Sequence, residues 1–196
     1  MPPLSASDIA AALYGLLRLA RLDPKGFDYF EATATGLLKS FWVAAFLLPV
    51  FLLYLVLDVL MLDLGGPGAA LRYVSIETIA YVVDWVAFPL VMVTLAPAMG
   101  LDRTLFRFLV PLNWIQLPVG LILMVPALIG RLVDMPEDFA ALVGLTIITA
   151  SLLIVAALAR FGLEVPWWSA AGATVMNFTI SLIITGVAFS MAGVGA

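Results

Sequence analysis

Five long apolar runs, at 41–62, 73–99, 104–130, 139–159 and 167–192, constrain this chain more than any other feature of its sequence. Each meets or exceeds the roughly 20 residues an α-helix needs to cross a hydrocarbon core. Charges and turn residues fall mostly in the gaps between them. A water-soluble domain needs a charged exterior, yet 64% of the 196 residues are hydrophobic and 11% charged, against about 45–50% apolar usage in soluble domains. The expected fold class is all-α: a polytopic integral membrane protein, a bundle of five transmembrane helices preceded by an N-terminal amphipathic helix. Residues 1–38 would form a cytoplasmic lead-in and 39–196 a single five-helix transmembrane domain. Pro49 in the first run, Pro89 and Pro97 in the second, and Pro111, Pro118 and Pro126 in the third supply bend sites.

Five crossings put the two ends of the chain on opposite sides, so the basic residues can be counted against that alternation. Arg18, Arg21, Lys25, Lys39, Arg103, Arg107 and Arg160 gather on the N-terminal side, and only Arg72 and Arg131 on the other. By the positive-inside rule the N-terminus is cytoplasmic and the closing "GVGA" lies outside. Trp42, Trp167 and Trp168 stand at the same cytoplasmic edge, as interfacial anchors do. The opening "MPPLSASDIAAALYGLL" has no basic leader, carries Asp8 within its apolar stretch and is expected to be retained.

The lead-in reads as a short helix capped by Ser7 and stopped by the turn at 23–26. Ile9, Leu13, Leu16, Leu17 and Ala20 share one side, while Arg18 and Arg21 point away. Such a helix either lies on the cytoplasmic leaflet or packs under the bundle, and both readings stand.

Composition removes several functions. With a net charge of −4 and no Lys/Arg run, nothing suits a phosphate backbone, so nucleic acid is not an expected partner. Cys and His are both absent. That eliminates thiolate and imidazole metal sites, haem ligation and every Ser-His or Cys-His arrangement. An intramembrane aspartyl protease needs two aspartates at one depth, and only Asp84 qualifies. No Gly-rich nucleotide loop is present. The chain is expected to be no enzyme, with no metal and no cofactor.

The second run carries two acids, Glu77 and Asp84. Counted from Tyr73, Glu77 is one turn in, whereas Asp84 is roughly 16 Å deep at 1.5 Å per residue. An ionised Asp facing lipid there costs about 2.5–3.5 kcal/mol, so Asp84 should face protein or water, or be protonated. Tyr73, Glu77, Tyr81, Asp84 and Phe88 recur at helical spacing as one polar-aromatic stripe. Asn113 and Gln116 of the third run and Asn177 of the fifth reach the same depth as Asp84, giving a candidate intramembrane polar cluster, with Glu77 and Tyr81 secondary to it. In the fifth run Ser169, Ala173, Asn177, Ser181 and Thr185 form a small, polar helix-packing ridge. Glu77 reads as an interfacial acid, exposed or paired with Arg72, and Asp58 likewise; Arg107 reads as a snorkelling cation. "MPEDF" at 135–139 reads as an acidic external turn opening the fourth helix.

The short connectors "GLDR" from Gly100 and "GLEV" from Gly162 hint at a duplicated helical hairpin, with Asn113 and Asn177 following them at similar distances. The whole plan, with "GLLKSFWVAAFLLPVFLLYL" opening the first span and four tightly spaced spans after it, resembles the Yip (Ypt-interacting protein) family and its bacterial branch. In place of the eukaryotic "DLYGPFW"-like motif stand "LYGLL" from Leu13 and "FW" at Phe41 and Trp42, so no functional residue carries over. The resemblance implies a non-catalytic component of the bacterial inner membrane, and in eukaryotes an association with Rab-type GTPases and traffic. The expected function is a scaffold, membrane-organising component or subunit of a membrane complex. Its partners would be the lipid bilayer and a further copy or another membrane protein. The alternative is a small proton- or cation-coupled transporter centred on Asp84. A third reading places an apolar ligand between helices near Trp85 and Trp114.

Overall fold

The computed structural model describes residues 2–21, 23–61, 64, 66–132 and 136–193. The start of the acidic turn at 135–139 and the end of "GVGA" lie outside the described residues. Among the described residues every regular element is helical: α1 (Ala6–Ala20), a 3-10 turn (Pro24–Tyr29), α2 (Ala34–Ser40), α3 (Trp42–Met61), α4 (Pro67–Met99), α5 (Leu105–Leu132), α6 (Glu137–Gly162) and α7 (Trp167–Ala192). Five stretches are long and apolar enough to cross a membrane: Ala34–Met61, Pro67–Met99, Leu105–Gly130, Asp138–Gly162 and Trp167–Ala192.

Two of these begin earlier than the apolar pattern predicts, and each has a local cause. The Thr33 side chain accepts from the Gly36 amide at 3.0 Å, capping α2, which runs almost directly into α3. Further along, Gly66 takes a φ of +119°, a conformation open to glycine, and Pro67 occupies the first helical turn where its missing N–H costs nothing. Arg72 therefore sits inside α4, not in a loop.

The N-terminal helix also differs from expectation at its cap. Ser5, not Ser7, is the N-cap: its hydroxyl accepts from the Asp8 amide at 3.1 Å, and the Asp8 carboxylate accepts from the Ser5 amide at 3.0 Å. The three-residue spacing of Ser5 and Asp8 allows this reciprocal pair, which Ser7 cannot make with Asp8. The buried face is rotated too. Ala12, Gly15 and Leu16 are buried, whereas Leu13 and Leu17 are 46% and 48% exposed. Small residues decide this: a Cβ on Gly15 would lie 2.7 Å from the Phe30 ring and 2.9 Å from the Gly26 carbonyl, so only glycine permits the approach. Hence α1 packs on the 3-10 turn and on α5.

The main core joins this N-terminal segment to one end of the bundle. Ala12, Leu16, Phe27, Phe30 and Leu37 meet Val43 and Leu47 of α3, Met92 and Ala96 of α4, Phe108 and Leu109 of α5, and Leu158 and Ala159 of α6. A smaller cluster of Phe51, Leu55, Tyr73 and Ala192 closes the opposite end. α5 is the hub, touching α1, α2, α3, α4 and α6, while α4 pairs most closely with α7.

Candidate functional site

The buried face of α4 carries Tyr73, Phe88, Met92 and Ala96, with Glu77, Tyr81 and Trp85 half-buried along the same line. The expected stripe thus passes through Trp85 where the sequence suggested Asp84. Asp84 lies on the flank toward α7, an exposed residue with its carboxyl near the Ser181 hydroxyl.

Asn113 is buried at the other side of the bundle. Its Nδ2 donates to the Ser40 hydroxyl at 2.9 Å, and Ser40, itself fully buried, donates onward to the Leu37 carbonyl at 2.7 Å. This chain ties α5 to the end of α2. Gln116 and Asn177 are half-buried on α5 and α7. The structure therefore bonds Asn113 to Ser40 and leaves Asp84 apart from it, near Ser181.

In the α7 ridge, Ser169, Ala173, Asn177 and Ser181 are half-buried and Thr185 is exposed. The fully covered small residues of that helix are Ala170, Thr174, Ala188 and Ala192.

The most enclosed acid among the described residues is Asp58, which the sequence placed at the interface, exposed or paired with Arg72. Asp58 is 2% exposed, and the Tyr73 hydroxyl donates to its Oδ2 at 2.7 Å. Glu77 is close enough to act electrostatically on Tyr73 and to feel Asp58. A signal was present: Phe51, Leu55 and Asp58 follow one another at steps of four and three, so Asp58 shares a face with core residues. Nearby, the Tyr81 hydroxyl donates to the Ala44 carbonyl at 2.6 Å, and its ring stacks on Phe51 with centroids 4.3 Å apart.

Charged groups settle at the helix ends. Arg72 donates to the Met191 carbonyl in the last turn of α7, where unpaired carbonyls favour a cation, in place of the expected pairing with Glu77. Arg107, read as a snorkelling side chain, pairs with Glu164 and sits over the Phe27 ring, 5.0 Å from its centroid. Arg18 pairs with Asp23 and also donates to the Tyr29 hydroxyl at 3.2 Å. That guanidinium holds the Asp23 carboxyl below the usual carboxylate range. Lys39 bridges Asp8 at 3.4 Å and Glu31 at 2.9 Å.

Chemically, these arrangements fix helices. Among the described residues no group of three or more carboxylates has the geometry to hold a metal ion. The fold and its contacts define a class: an all-α protein with five helices long and apolar enough to cross a membrane, compatible with a multi-pass membrane protein. No protein-family model, no curated protein and no solved structure matches the chain.

Proposed function

We propose that this chain is a non-catalytic, multi-pass protein of the bacterial inner membrane, acting as a scaffold, membrane-organising component or subunit of a membrane complex. One observation carries the reading. The five long helices turn apolar side chains outward, among them Leu60, Leu90, Leu145, Leu153 and Ile183, each at least 60% exposed, while Asp58, Asn113 and Ser40 are bonded inside. Exposed apolar surface on this scale is costly in water and favourable in lipid. The Yip-like layout of a cytoplasmic lead-in followed by five spans belongs to the same reading, as does the excess of basic residues on the N-terminal side.

The chain has no cysteine of its own, so single cysteines report topology cleanly. Ala32→Cys and Gly68→Cys, both at exposed positions, are treated with an impermeant maleimide in intact cells. Labelling of Gly68→Cys alone is expected; labelling of both overturns the orientation. Recovery of a lone monomer in every mild detergent, with neither self-association nor a co-purifying partner, overturns the scaffold role.

A second reading, a proton- or cation-coupled transporter centred on Asp84, draws on the placing of a carboxyl midway along α4 beside Ser181 of α7. Asp84→Asn in sealed vesicles separates the two. Unchanged proton or cation flux in a folded variant removes transport through this residue.

A further inference from the structure

Between the N-terminal segment and α6 lies a cavity of about 260 Å³, lined by Leu16 and Leu19 of α1, Pro24 and Phe27 of the 3-10 turn, and Leu153 and Leu158 of α6. Ile115, Ala157 and Phe161 add to its apolar wall, and Asp23 is its charged member. Its flank is open along α6, where Leu153 is 67% and Phe161 40% exposed. From Leu153 to Phe161 the groove follows α6 for about 12 Å at 1.5 Å per residue, close to the roughly 15 Å depth of hydrocarbon in one leaflet. Phe161 packs edge-on against Trp167 with centroids 6.0 Å apart, and Trp168 beside it is 78% exposed. Aromatic pairs of this kind mark the level where hydrocarbon gives way to headgroups.

Three cations adjoin the lining residues along the chain. Arg21 and Lys25 are exposed and directly follow the lining residues Ala20 and Pro24. Arg160 precedes Phe161, its guanidinium carbon 5.6 Å from that ring's centroid. Its Nε–H is buried and has no hydrogen-bond partner among the described residues. The positive charges of Arg21, Lys25 and Arg160 together suit a phosphate group. Asp23 does not oppose an anion, because Arg18 already neutralises it. Asp28, the other acid of the turn, makes no ion pair among the described residues.

We propose that this groove is a binding site for one anionic phospholipid of the N-terminal-side leaflet. One acyl chain fills the apolar channel between α1 and α6, and the phosphate meets Arg160, Arg21 and Lys25. The assignment rests on the bilayer reading above. It gives the N-terminal segment a ligand shared with the bundle, so that lipid binding holds α1 and the 3-10 turn against α6.

The test uses the full chain in vesicles of equal phosphatidylglycerol and phosphatidylcholine, followed by gentle extraction and native mass spectrometry of retained lipid. Preferential retention of one phosphatidylglycerol per chain is expected. The triple variant R21Q/K25Q/R160Q should lower that preference about tenfold or more, each lost cation near the headgroups weakening it several-fold. Arg103→Gln, an exposed cation in the α4–α5 connection, should leave it unchanged. Ala157→Trp, which fills the channel, should abolish retention of the lipid while the triple variant still reports on the charges. An unaltered preference in the triple variant, or an equal fall in Arg103→Gln, overturns the site. So does a cross-link showing a second copy of the chain seated in the groove. A chain that resists carbonate extraction yet shows no preference overturns the site alone, whereas a chain washed off the membrane overturns the bilayer reading and the site with it.

Discussion

The Tyr73 hydroxyl donates a 2.7 Å hydrogen bond to Oδ2 of Asp58, joining α3 to α4 at the end of the bundle far from the N-terminal segment. Phe51, Leu55 and Ala192 pack around the pair, so it is enclosed by apolar groups of α3 and α7. Tyr73→Phe removes the donor and almost nothing else. A loss of about 1 kcal/mol in detergent unfolding is expected, since hydrogen bonds between apolar helices are worth about 0.6 to 2 kcal/mol. Asp58→Leu removes the acceptor, and the Tyr73→Phe/Asp58→Leu double variant should lose less than the sum of the two single losses. Strict additivity would show that the bond contributes nothing.

Asn113 and Ser40 make the corresponding tie at the other end, between α5 and α2. Because both are buried, Asn113→Ala strands the Ser40 hydroxyl's neighbourhood without its donor and leaves a small void. The expected cost is about 1 to 3 kcal/mol. Gln116→Ala, one turn along at a half-buried position, should cost clearly less. Equal losses in chemical unfolding would show that depth along α5, and not the junction with α2, decides which amide matters.

Two glycines should respond differently to alanine. A Cβ on Gly36 would collide with the backbone carbonyl of Glu31, which has no freedom to retreat. A Cβ on Gly120 would meet Leu47 Cδ1 at 2.8 Å, the far end of a side chain that can change rotamer. Gly36→Ala is therefore expected to loosen the cap of α2, through about 1 to 3 kcal/mol of overpacking. Limited proteolysis at 31–33 should speed up by about tenfold or more, with Gly120→Ala close to the parent. Parental resistance in Gly36→Ala would disprove the close approach.

The number and placement of the five long helices were legible because an apolar run of twenty residues leaves few choices of structure. The last of them has the same limits in sequence and structure, Trp167–Ala192, since Pro166 and Gly193 punctuate it. Interior contacts were less legible. Depth along a helix can be counted from its end, but rotation about its axis depends on which neighbour it meets. Asp84 and Trp85 are adjacent, yet one flanks α7 and the other faces Tyr81. Ser40 carried no signal at all, because its role arises from Asn113, distant in sequence and brought near only by packing. For α1, hydrophobicity pointed to Leu13 and Leu17, whereas close approach at Gly15 decided the buried face. Patterns of size and patterns of polarity coincide poorly where helices touch through small residues.

The capping box of α1 makes the docking of the N-terminal segment sensitive to acid. The Asp8 carboxyl is held below the usual carboxylate range, first by the Ser5 backbone N–H, then by the Ser5 hydroxyl, with the charge of Lys39 adding to them. A carboxylate whose pKa is lowered by folding stabilises the fold above its unfolded value of about 3.9. That contribution is lost as pH falls through the lower, folded value. Asp23, held down by Arg18, acts in the same direction. Docking of α1 should thus be constant from neutrality to about pH 5 and weaken below about pH 4. Hydrogen exchange over the amides of α1, corrected for the intrinsic rate at each pH, reads this directly. In Asp8→Asn the amide cannot titrate, so protection should start lower and the acid transition should shrink to what Asp23 supplies. Protection that rises as pH falls, or an unaltered transition in Asp8→Asn, would remove Asp8 from the account.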